Sequence, residues 1–317
     1  MMPWLSLLAA PLTTGLLWLA LVTGLAWRII DTPNERSLHD RPIPRIGGLA
    51  LVPAALLAGL TGGFHGWPVL GAVAVLYGLS LVDDVRGLSA RSRLLVQLLA
   101  AGIWALTLPI EMGLAVVLIL AAAGFANFFN FMDGSNGLAG GMALFGFAVL
   151  GLLGGAAPEG ALAWAIAAAA AGFLLLNFHP ARVFMGDAGS VPLGFLAVAL
   201  GVQGWLAGRW HWASPLLAFL PFAVDASVTL TRRALRGEKV WQAHREHYYQ
   251  RLIRMGWSHR RTALCYYAAM SVCAALALFA SRQPALAPAL LLAAVSGLAV
   301  PMHLIDRRWR RHAGTSA

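Results

Sequence analysis

The sequence predicts an all-α, polytopic integral membrane protein, and its composition, its apolar runs and the placement of its charges all support this fold class. Of its 317 residues, 59% are hydrophobic and only 11% are charged, and the mean hydropathy is +0.72. Water-soluble domains carry about 25% charged residues. The composition therefore excludes soluble, disordered and disulfide-stapled proteins, and Cys265 and Cys273 lie in an apolar stretch that provides no zinc site.

Eleven apolar runs follow one another along the chain, and at about 20 residues per crossing they predict about 11 transmembrane helices. The runs cover 3–28, 46–63, 67–82, 93–109, 112–131, 137–154, 160–178, 191–207, 213–231, 262–281 and 284–304. No basic residue precedes Arg28, so the first run is expected to be a retained span and not a cleaved signal peptide. The prediction is a single transmembrane domain over 1–317.

The basic residues are distributed very unequally between the two predicted sides of the membrane. If every run crosses, 21 of the 23 Lys and Arg residues fall on one side, and only Arg209 and Arg282 fall on the other. Basic loops are retained in the cytoplasm. We therefore expect an outside N-terminus, an inside C-terminus and a long cytoplasmic loop over 232–261. The formal net charge of +10 then reflects topology and not a nucleic-acid partner.

The acidic residues cluster on the same predicted side as the basic ones. Of thirteen Asp and Glu residues, only Glu111 and Glu159 fall on the outer side, and Asp225 lies within the ninth run. A transporter is expected to place ionisable groups near the membrane midplane. The distribution instead predicts a reaction site at the cytoplasmic face, open to a water-soluble substrate and to a lipid.

The first motif is the pair Asp83-Asp84, at the inner end of the third run. Two adjacent carboxylates leaving an apolar helix are costly to bury, so they are expected to face water, a cation or each other. An ordinary solvated helix end explains the pair equally well at this stage.

The second motif is a polar stripe at the end of the fifth run. Asn127, Asn130 and Asp133 recur every three residues and would share one face of a helix. Amides and a carboxylate among phenylalanines are costly in lipid unless they line a cavity or coordinate a ligand. The alternative, a helix end followed by an Asn-Gly turn, leaves the stripe unexplained.

The third motif places Asp187 between two glycines, before the eighth run. Mg²⁺ usually takes one or two carboxylates together with substrate phosphates. Asp187 suits that role, and a helix N-cap is the alternative.

The fourth motif, His244-Arg245-Glu246-His247, lies in the long loop. A helical turn would bring the two imidazoles together. Two histidines alone make a poor zinc set, so phosphate contacts by His244, His247 and Arg245 are the prediction. A polybasic loop attracted to anionic lipid is the alternative, and it would account for Arg232, Arg233 and Arg236 in any case.

Together these motifs resemble the polyprenyl-phosphate N-acetylhexosamine-1-phosphate transferases, a membrane family that initiates bacterial lipid-linked glycans. Residues 83–84 resemble its Asp-Asp motif, 127–139 its Asn-x-x-Asn-x-x-Asp-Gly-x-Asp/Asn-Gly-Leu-Ala motif, and 184–190 its Phe-Met-Gly-Asp-x-Gly-Ser motif. The loop over 33–48 and the histidine loop resemble the branch that starts O-antigen chains. The muramoyl-pentapeptide branch usually carries three histidines and a lysine after the Asp-Asp pair, which this sequence lacks.

The resemblance implies phosphoryl transfer from a UDP-N-acetylhexosamine to undecaprenyl phosphate, with release of UMP. Mg²⁺, with Mn²⁺ as a substitute, would neutralise the diphosphate. Asp187 is then the leading metal ligand, together with Asn130. Asp83 or Asp84 would orient or deprotonate the lipid phosphate, and Asp133 is the third carboxylate expected in the reaction.

The remaining roles implied by the resemblance concern substrate binding. Asn127 and Asp133 would help to hold the uridine or the metal shell, and Asn136 stands where many members carry Asp. The phosphate oxygens would be bound by His244, His247, Arg245, Arg36 and Arg45. A peptidoglycan-precursor transferase and, more distantly, a transporter remain the alternatives. The choice of hexosamine, the glycan pathway and assembly as a homodimer stay open.

Overall fold

The protein is described here by a computed structural model covering residues 3–33, 38–242 and 244–314, and most of these residues are helical. Thirteen α-helices are found in them: α1 (Ala9–Val22), α2 (Gly47–Thr61), α3 (Trp67–Arg86), α4 (Ala90–Ala105), α5 (Met112–Phe131), α6 (Leu138–Gly154), α7 (Pro158–Asn177), α8 (Asp187–Leu206), α9 (Ala213–Ala218), α10 (Leu220–Leu235), α11 (Tyr248–Arg254), α12 (His259–Arg282) and α13 (Ala287–Gly314). Two short strands, β1 (Ile30–Asp31) and β2 (Ile43–Pro44), form an antiparallel ribbon between α1 and α2.

Each of the eleven apolar runs contains a helix, but the ninth run is broken into two. The break lies at Phe219, between α9 and α10, one residue before the first turn of α10. Pro221 lies in that turn and has no backbone N–H to continue the hydrogen bonding of α9. Hydropathy does not detect such a break, because the residues on both sides of it are apolar.

Seven helical segments within the described residues are long and apolar enough to cross a membrane. They are Trp4–Val22, Trp67–Arg86, Met112–Phe131, Pro158–Asn177, Asp187–Leu206, His259–Arg282 and Pro284–His312. Gly47–Thr61 and Leu138–Gly154 are apolar but shorter. The protein is thus an all-α membrane protein with multiple spans, whereas eleven crossings and the orientation of the termini stay predictions.

Helices α7 and α8 form the centre of the structure. The protein buries 72% of the apolar window of each, compared with 28% for α12 and 17% for the segment that contains α13. The long alanine run of α7 allows this close packing, with α6 on one side and α1 and α2 on others. Helix α8 packs against α3 and α5. This packing brings together the C-terminal ends of α3 and α5 and the N-terminal end of α8.

The segment before α2 is fixed to the segment before α8 by backbone hydrogen bonds. The N–H of Phe184 donates to the Pro44 carbonyl, and the N–H groups of Gly47 and Gly48 donate to the Phe184 and Met185 carbonyls, each over 2.8 Å. At Gly48 the two backbones nearly touch, because a Cβ added there would lie 2.1 Å from the Gly189 nitrogen. These contacts fix Arg45 beside the start of α8.

Candidate active site

The Asp-Asp pair at the end of α3 reaches the first turn of α8. Asp84 accepts hydrogen bonds from the backbone N–H groups of Asp187, over 3.2 Å, and Ala188, over 3.1 Å. Its side chain is only 4% exposed. Asp84 therefore caps α8 from another helix, and the interpretation of the pair as a solvated helix end is wrong for this residue.

Asp187 itself is not a helix cap. Gly186 occupies the N-cap position, no side chain of α8 itself caps that end, and Asp187 is the first residue of the helix. Its carboxylate is mostly buried and faces Asp84, Arg45 and Arg93. The N-cap alternative considered for Asp187 is therefore wrong, and its buried charge needs another explanation.

Two arginines form ion pairs with the three carboxylates, Asp83, Asp84 and Asp187. Arg93 Nη1 lies 2.9 Å from Asp83 and 3.3 Å from Asp187, and Arg45 Nη2 lies 3.5 Å from Asp187 and 3.8 Å from Asp84. Burial disfavours the charge of Arg45, but Asp187 and Asp84 outweigh it and raise the Arg45 pKa. The sequence predicted Arg45 as a site residue and missed Arg93. The available signal was the position of Arg93 after the Asp-Asp pair, at the same end of the bundle.

The polar stripe on α5 also reaches this group. The Asn130 amide donates to Asp187 over 2.8 Å and to Ser190 over 3.0 Å. The Asn127 amide instead donates to Gln97 on α4 over 2.6 Å and to its own helix. These side chains line a cavity of about 10 Å³, which is enough for one water molecule. Its lining consists of Leu79, Ser80, Asp83, Arg93, Gln97, Asn127, Asn130, Asp187 and Val191.

Asp133 follows the end of α5 and lies beside the same carboxylates. Burial raises its pKa well above the ordinary value, Asp187 and Asp84 add to the rise, and Arg45 opposes it. Asn136, three residues later, contacts the His179 ring over 3.1 Å. The Asn177 side chain holds this turn in place. Its Oδ1 accepts from the Gly137 N–H, and its Nδ2 donates to the Val183 backbone carbonyl, each over 2.9 Å.

The two loop histidines lie together as predicted, with ring centroids 4.7 Å apart. The predicted helical turn is wrong, because residues 244–247 precede α11 and His247 is its N-cap residue. Desolvation, with help from His247 and Arg233, lowers the His244 pKa to about 4. His244 is therefore uncharged at neutral pH, and His247 is buried against the Phe131 ring.

The remaining basic residues of the loop differ from one another in their partners. Arg233 and Arg236 form ion pairs with Glu238 and Glu246. Their positive charges are therefore already paired with carboxylates of the loop. The Arg245 carbonyl accepts a hydrogen bond from Arg254, and its guanidinium has no ion-pair partner within the described residues. Arg36, predicted to bind phosphate, lies outside the described residues.

Helix α11 is anchored to α13 by Asp306, a residue that belongs to none of the sequence motifs. Its carboxylate accepts from Arg251 over 2.8 Å, from Arg232 over 2.7 Å and from the Tyr248 hydroxyl over 3.1 Å. Arg254 stacks on Trp309, one turn further along α13. The histidine loop is therefore held by the last helix of the chain.

An apolar groove of about 680 Å³ runs along α5 and α8, the two helices that carry Asn130 and Asp187. The α9–α10 break closes its third side through Pro215, Leu216, Phe219 and Ala223. The groove wall also includes Phe125, Phe128, Val198 and Trp205. An extended apolar chain would fit a groove of this composition.

The donor chemistry of the site fits Mg²⁺. Carboxylate and amide oxygens are the ligands this ion prefers, and it usually binds one or two carboxylates together with substrate phosphates. Within the described parts of the chain, no group of three or more His, Cys, Asp and Glu residues is arranged to hold a metal by itself. The site therefore fits an ion that is completed by a substrate and not an all-protein cage.

Comparison with known proteins identifies the family. Residues 67–204 match the model of glycosyl transferase family 4. A probable undecaprenyl-phosphate N-acetylglucosaminyl 1-phosphate transferase from Bacillus subtilis is 30% identical over 283 residues, which cover 80% of this chain and 79% of that protein. The chain belongs to glycosyl transferase family 4.

Two further relatives are named for different substrates. A decaprenyl-phosphate N-acetylglucosaminephosphotransferase from Mycobacterium tuberculosis is 31% identical, over 87% of this chain and 82% of its own length. A phospho-N-acetylmuramoyl-pentapeptide-transferase from Thermosynechococcus vestitus is 29% identical, over 86% of this chain and 82% of its own. The matched family region contains the carboxylates and the polar stripe, whereas the histidine loop lies outside it.

Proposed function

We propose that this family 4 member transfers N-acetylhexosamine-1-phosphate from a UDP-sugar to undecaprenyl phosphate and releases UMP. The observation that carries the proposal is that α5 and α8 carry both the polar site, at one end, and an apolar groove further along the same two helices. A lipid whose chain lies in the groove would place its phosphate near Asp83, Arg93 and Asp187. The relatives named for undecaprenyl or decaprenyl phosphate support the same acceptor.

In the proposed reaction, an oxygen of the lipid phosphate attacks the sugar-linked phosphorus of the UDP-sugar. The bond between that phosphorus and the bridging oxygen breaks, and the oxygen leaves with UMP. Mg²⁺, or Mn²⁺ in its place, would supply charge neutralisation on the diphosphate, held by Asp187 and the Asn130 carbonyl. Phosphate monoesters have a second pKa of about 6, so the attacking phosphate is already largely ionised and needs no strong base.

The structure suggests different roles for the two carboxylates at the end of α3. Asp84 holds the N-terminus of α8 by its two backbone hydrogen bonds. Asp83 pairs with Arg93 and lines the small polar cavity. We therefore propose that Asp84 positions Asp187. We propose that Asp83 orients Arg93 towards the lipid phosphate. Asn127, Asp133 and Asn136 would contact the nucleotide from the side of α5.

The location that we propose is the cytoplasmic face of a bacterial inner membrane, with eleven crossings, an outside N-terminus and an inside C-terminus. The placement of 21 of the 23 basic residues on the side of the site supports this orientation. We propose initiation of O-antigen-type glycans as the biological role, on the resemblance of the loops over 33–48 and 244–247.

The test is transfer by the purified protein from a panel of radiolabelled UDP-sugars into undecaprenyl phosphate. We expect a UDP-N-acetylhexosamine to label the lipid and to release UMP. Exclusive labelling by UDP-N-acetylmuramoyl-pentapeptide would favour the alternative that the Thermosynechococcus relative represents. Absence of transfer from every UDP-sugar in the panel would overturn the proposal.

A further inference from the structure

Asp225 on α10 is a buried carboxylate with an unusually complete set of hydrogen-bond donors. It is 3% exposed. It contacts His247 Nδ1 over 3.3 Å and accepts from the backbone N–H groups of Tyr248, over 3.0 Å, and Tyr249, over 3.4 Å. The hydroxyls of Thr229 and Tyr266 complete the set. Asp225 thereby binds the first turn of α11 from another helix.

These contacts decide which ring nitrogen of His247 carries the proton. An ionised carboxylate only accepts hydrogen bonds, so Nδ1 must donate to Asp225. The lone pair of the neutral imidazole then lies on Nε2. Histidines that act on ligands are commonly oriented by a carboxylate in this way, which also makes the second nitrogen more basic.

The Nε2 atom itself is left without a partner. His247 is 2% exposed, and Nε2 is buried without a hydrogen bond to any residue that the structure describes. Buried polar atoms normally have partners, and leaving one unpaired costs folding free energy. The imidazole stacks on the Phe131 ring, with centroids 5.9 Å apart, and Phe131 lies two residues before Asp133. The unpaired nitrogen therefore lies near the α5 end of the proposed site.

We infer that Asp225 is a positioning residue that fixes the His247 imidazole, so that Nε2 binds a phosphate oxygen of a substrate. The hydrogen bond between Nε2 and the phosphate oxygen needs one proton, which comes from the phosphate itself or from water. Asp225 touches neither substrate and acts only through His247. The inference rests on the proposed transferase function, and the phosphate belongs either to the lipid or to the UDP-sugar.

Asp225→Asn tests the inference because it keeps the side-chain volume and an acceptor oxygen but removes the charge. As helix caps, Asn and Asp are nearly equivalent. A merely structural role therefore predicts unchanged kinetics. We expect the KM for one of the two substrates to rise about tenfold or more. The thermal midpoint should fall somewhat, because the Asn amide nitrogen cannot accept from the donors that faced the carboxylate, so the selective change in one KM is the deciding readout. The substrate whose KM rises identifies the phosphate. Unchanged KM values for both substrates would overturn the inference.

A double-mutant cycle with His247→Ala provides the sharper test. Since Asp225 acts through His247, Asp225→Asn should add almost nothing in the His247→Ala background. An equal loss in both backgrounds would overturn the inference. Thr229→Val is the matched control, because it removes another donor to Asp225 and leaves His247 in place. Its kinetics should match those of the wild type.

Nitrogen-15 NMR of the histidine-labelled full chain separates this inference from the transferase proposal. The His247 signals are identified by their loss in His247→Ala. We expect a proton on Nδ1, and an Nε2 signal that shifts when undecaprenyl phosphate or UDP-N-acetylglucosamine is added. An Nε2 signal that responds to neither would overturn the inference even in a protein that transfers the sugar. Failure of sugar transfer alone would count against the proposed function.

Discussion

Asn130 donates a hydrogen bond to Asp187 over 2.8 Å and so joins the end of α5 to the first turn of α8. The second amide hydrogen of Asn130 goes to Ser190. Of the Asn130 side chain, only the oxygen Oδ1 then remains available to a ligand. One amide oxygen and one carboxylate, from two different helices, thus face the same cavity.

Asp187→Asn should abolish most transfer while leaving the protein folded. Asp187 does not cap α8, so the loss of its charge affects ligand binding more than helix formation. We expect activity to fall by at least about 100-fold, and the remaining activity to need more Mg²⁺. UMP release measured against Mg²⁺ concentration checks both effects. Asp40→Asn, the same change at an exposed loop position, is the control. A wild-type rate with a wild-type Mg²⁺ dependence would remove Asp187 from the site.

His244→Ala and His247→Ala should each lower turnover strongly while the protein stays inserted and soluble in detergent. Contacts to phosphate in the transition state affect rate more than folding. Turnover and gel-filtration behaviour of the two purified variants give the measurement. Near-normal turnover of both variants would leave the loop without a role in the reaction.

Stability should depend on pH through His244. Its pKa is lowered from 6.5 to about 4, chiefly by burial, so the folded protein holds the imidazole neutral. This contribution to stability is complete above pH 6.5 and is lost as the pH falls towards 4, because the unfolded chain takes up the proton first. Thermal midpoints in detergent between about pH 7 and pH 4 should fall less steeply for His244→Gln than for the wild type. Parallel curves would contradict this assignment.

Asp306→Asn should loosen the histidine loop. Arg251, only 7% exposed at its side chain, would lose its anionic partner on α13. Breaking a buried ion pair on one side costs about 3 kcal/mol, so we expect a clear drop in the thermal midpoint. Asp40→Asn again serves as the control, because exposed charges contribute little. Equal midpoints for the two variants would show that α13 does not hold α11.

The orientation of the chain is open to cysteine labelling in intact cells. Ala90 and Ala234 are exposed at the end that carries the site, and Ala207 is exposed at the opposite end of α8. In a background with Cys265 and Cys273 replaced by serine, impermeant thiol reagents should label Ala207→Cys and not the other two alanine variants. The reverse pattern would place the site outside the cytoplasm.

Hydropathy located the helices well because the formation of an apolar helix depends mostly on the residues of the run itself. The break at Phe219 and helix α11 were missed because they depend on neighbouring helices. For α11, the first turn is capped by Asp225, a residue 23 positions before Tyr248.

The site shows the same division between local and distant information. The carboxylates and Asn130 were predicted from motifs of local spacing, and the structure brings them together. Arg93 was missed because its contact with Asp187 spans 94 positions and arises only from the packing of α3, α4 and α8. The partner of His247 was missed for a similar reason, because Asp225 looked like an isolated acid within an apolar run.

The contact between Gly48 and Gly189 has a consequence for engineering this enzyme. A single methyl group at position 48 would meet the backbone of α8 at 2.1 Å from the Gly189 nitrogen and act as a wedge. To relieve this clash the first turn of α8 would have to shift, and the Asp187 carboxylate would move with it. The position of the Asp187 carboxylate therefore depends on the lack of a side chain at residue 48, which is far from Asp187 in sequence.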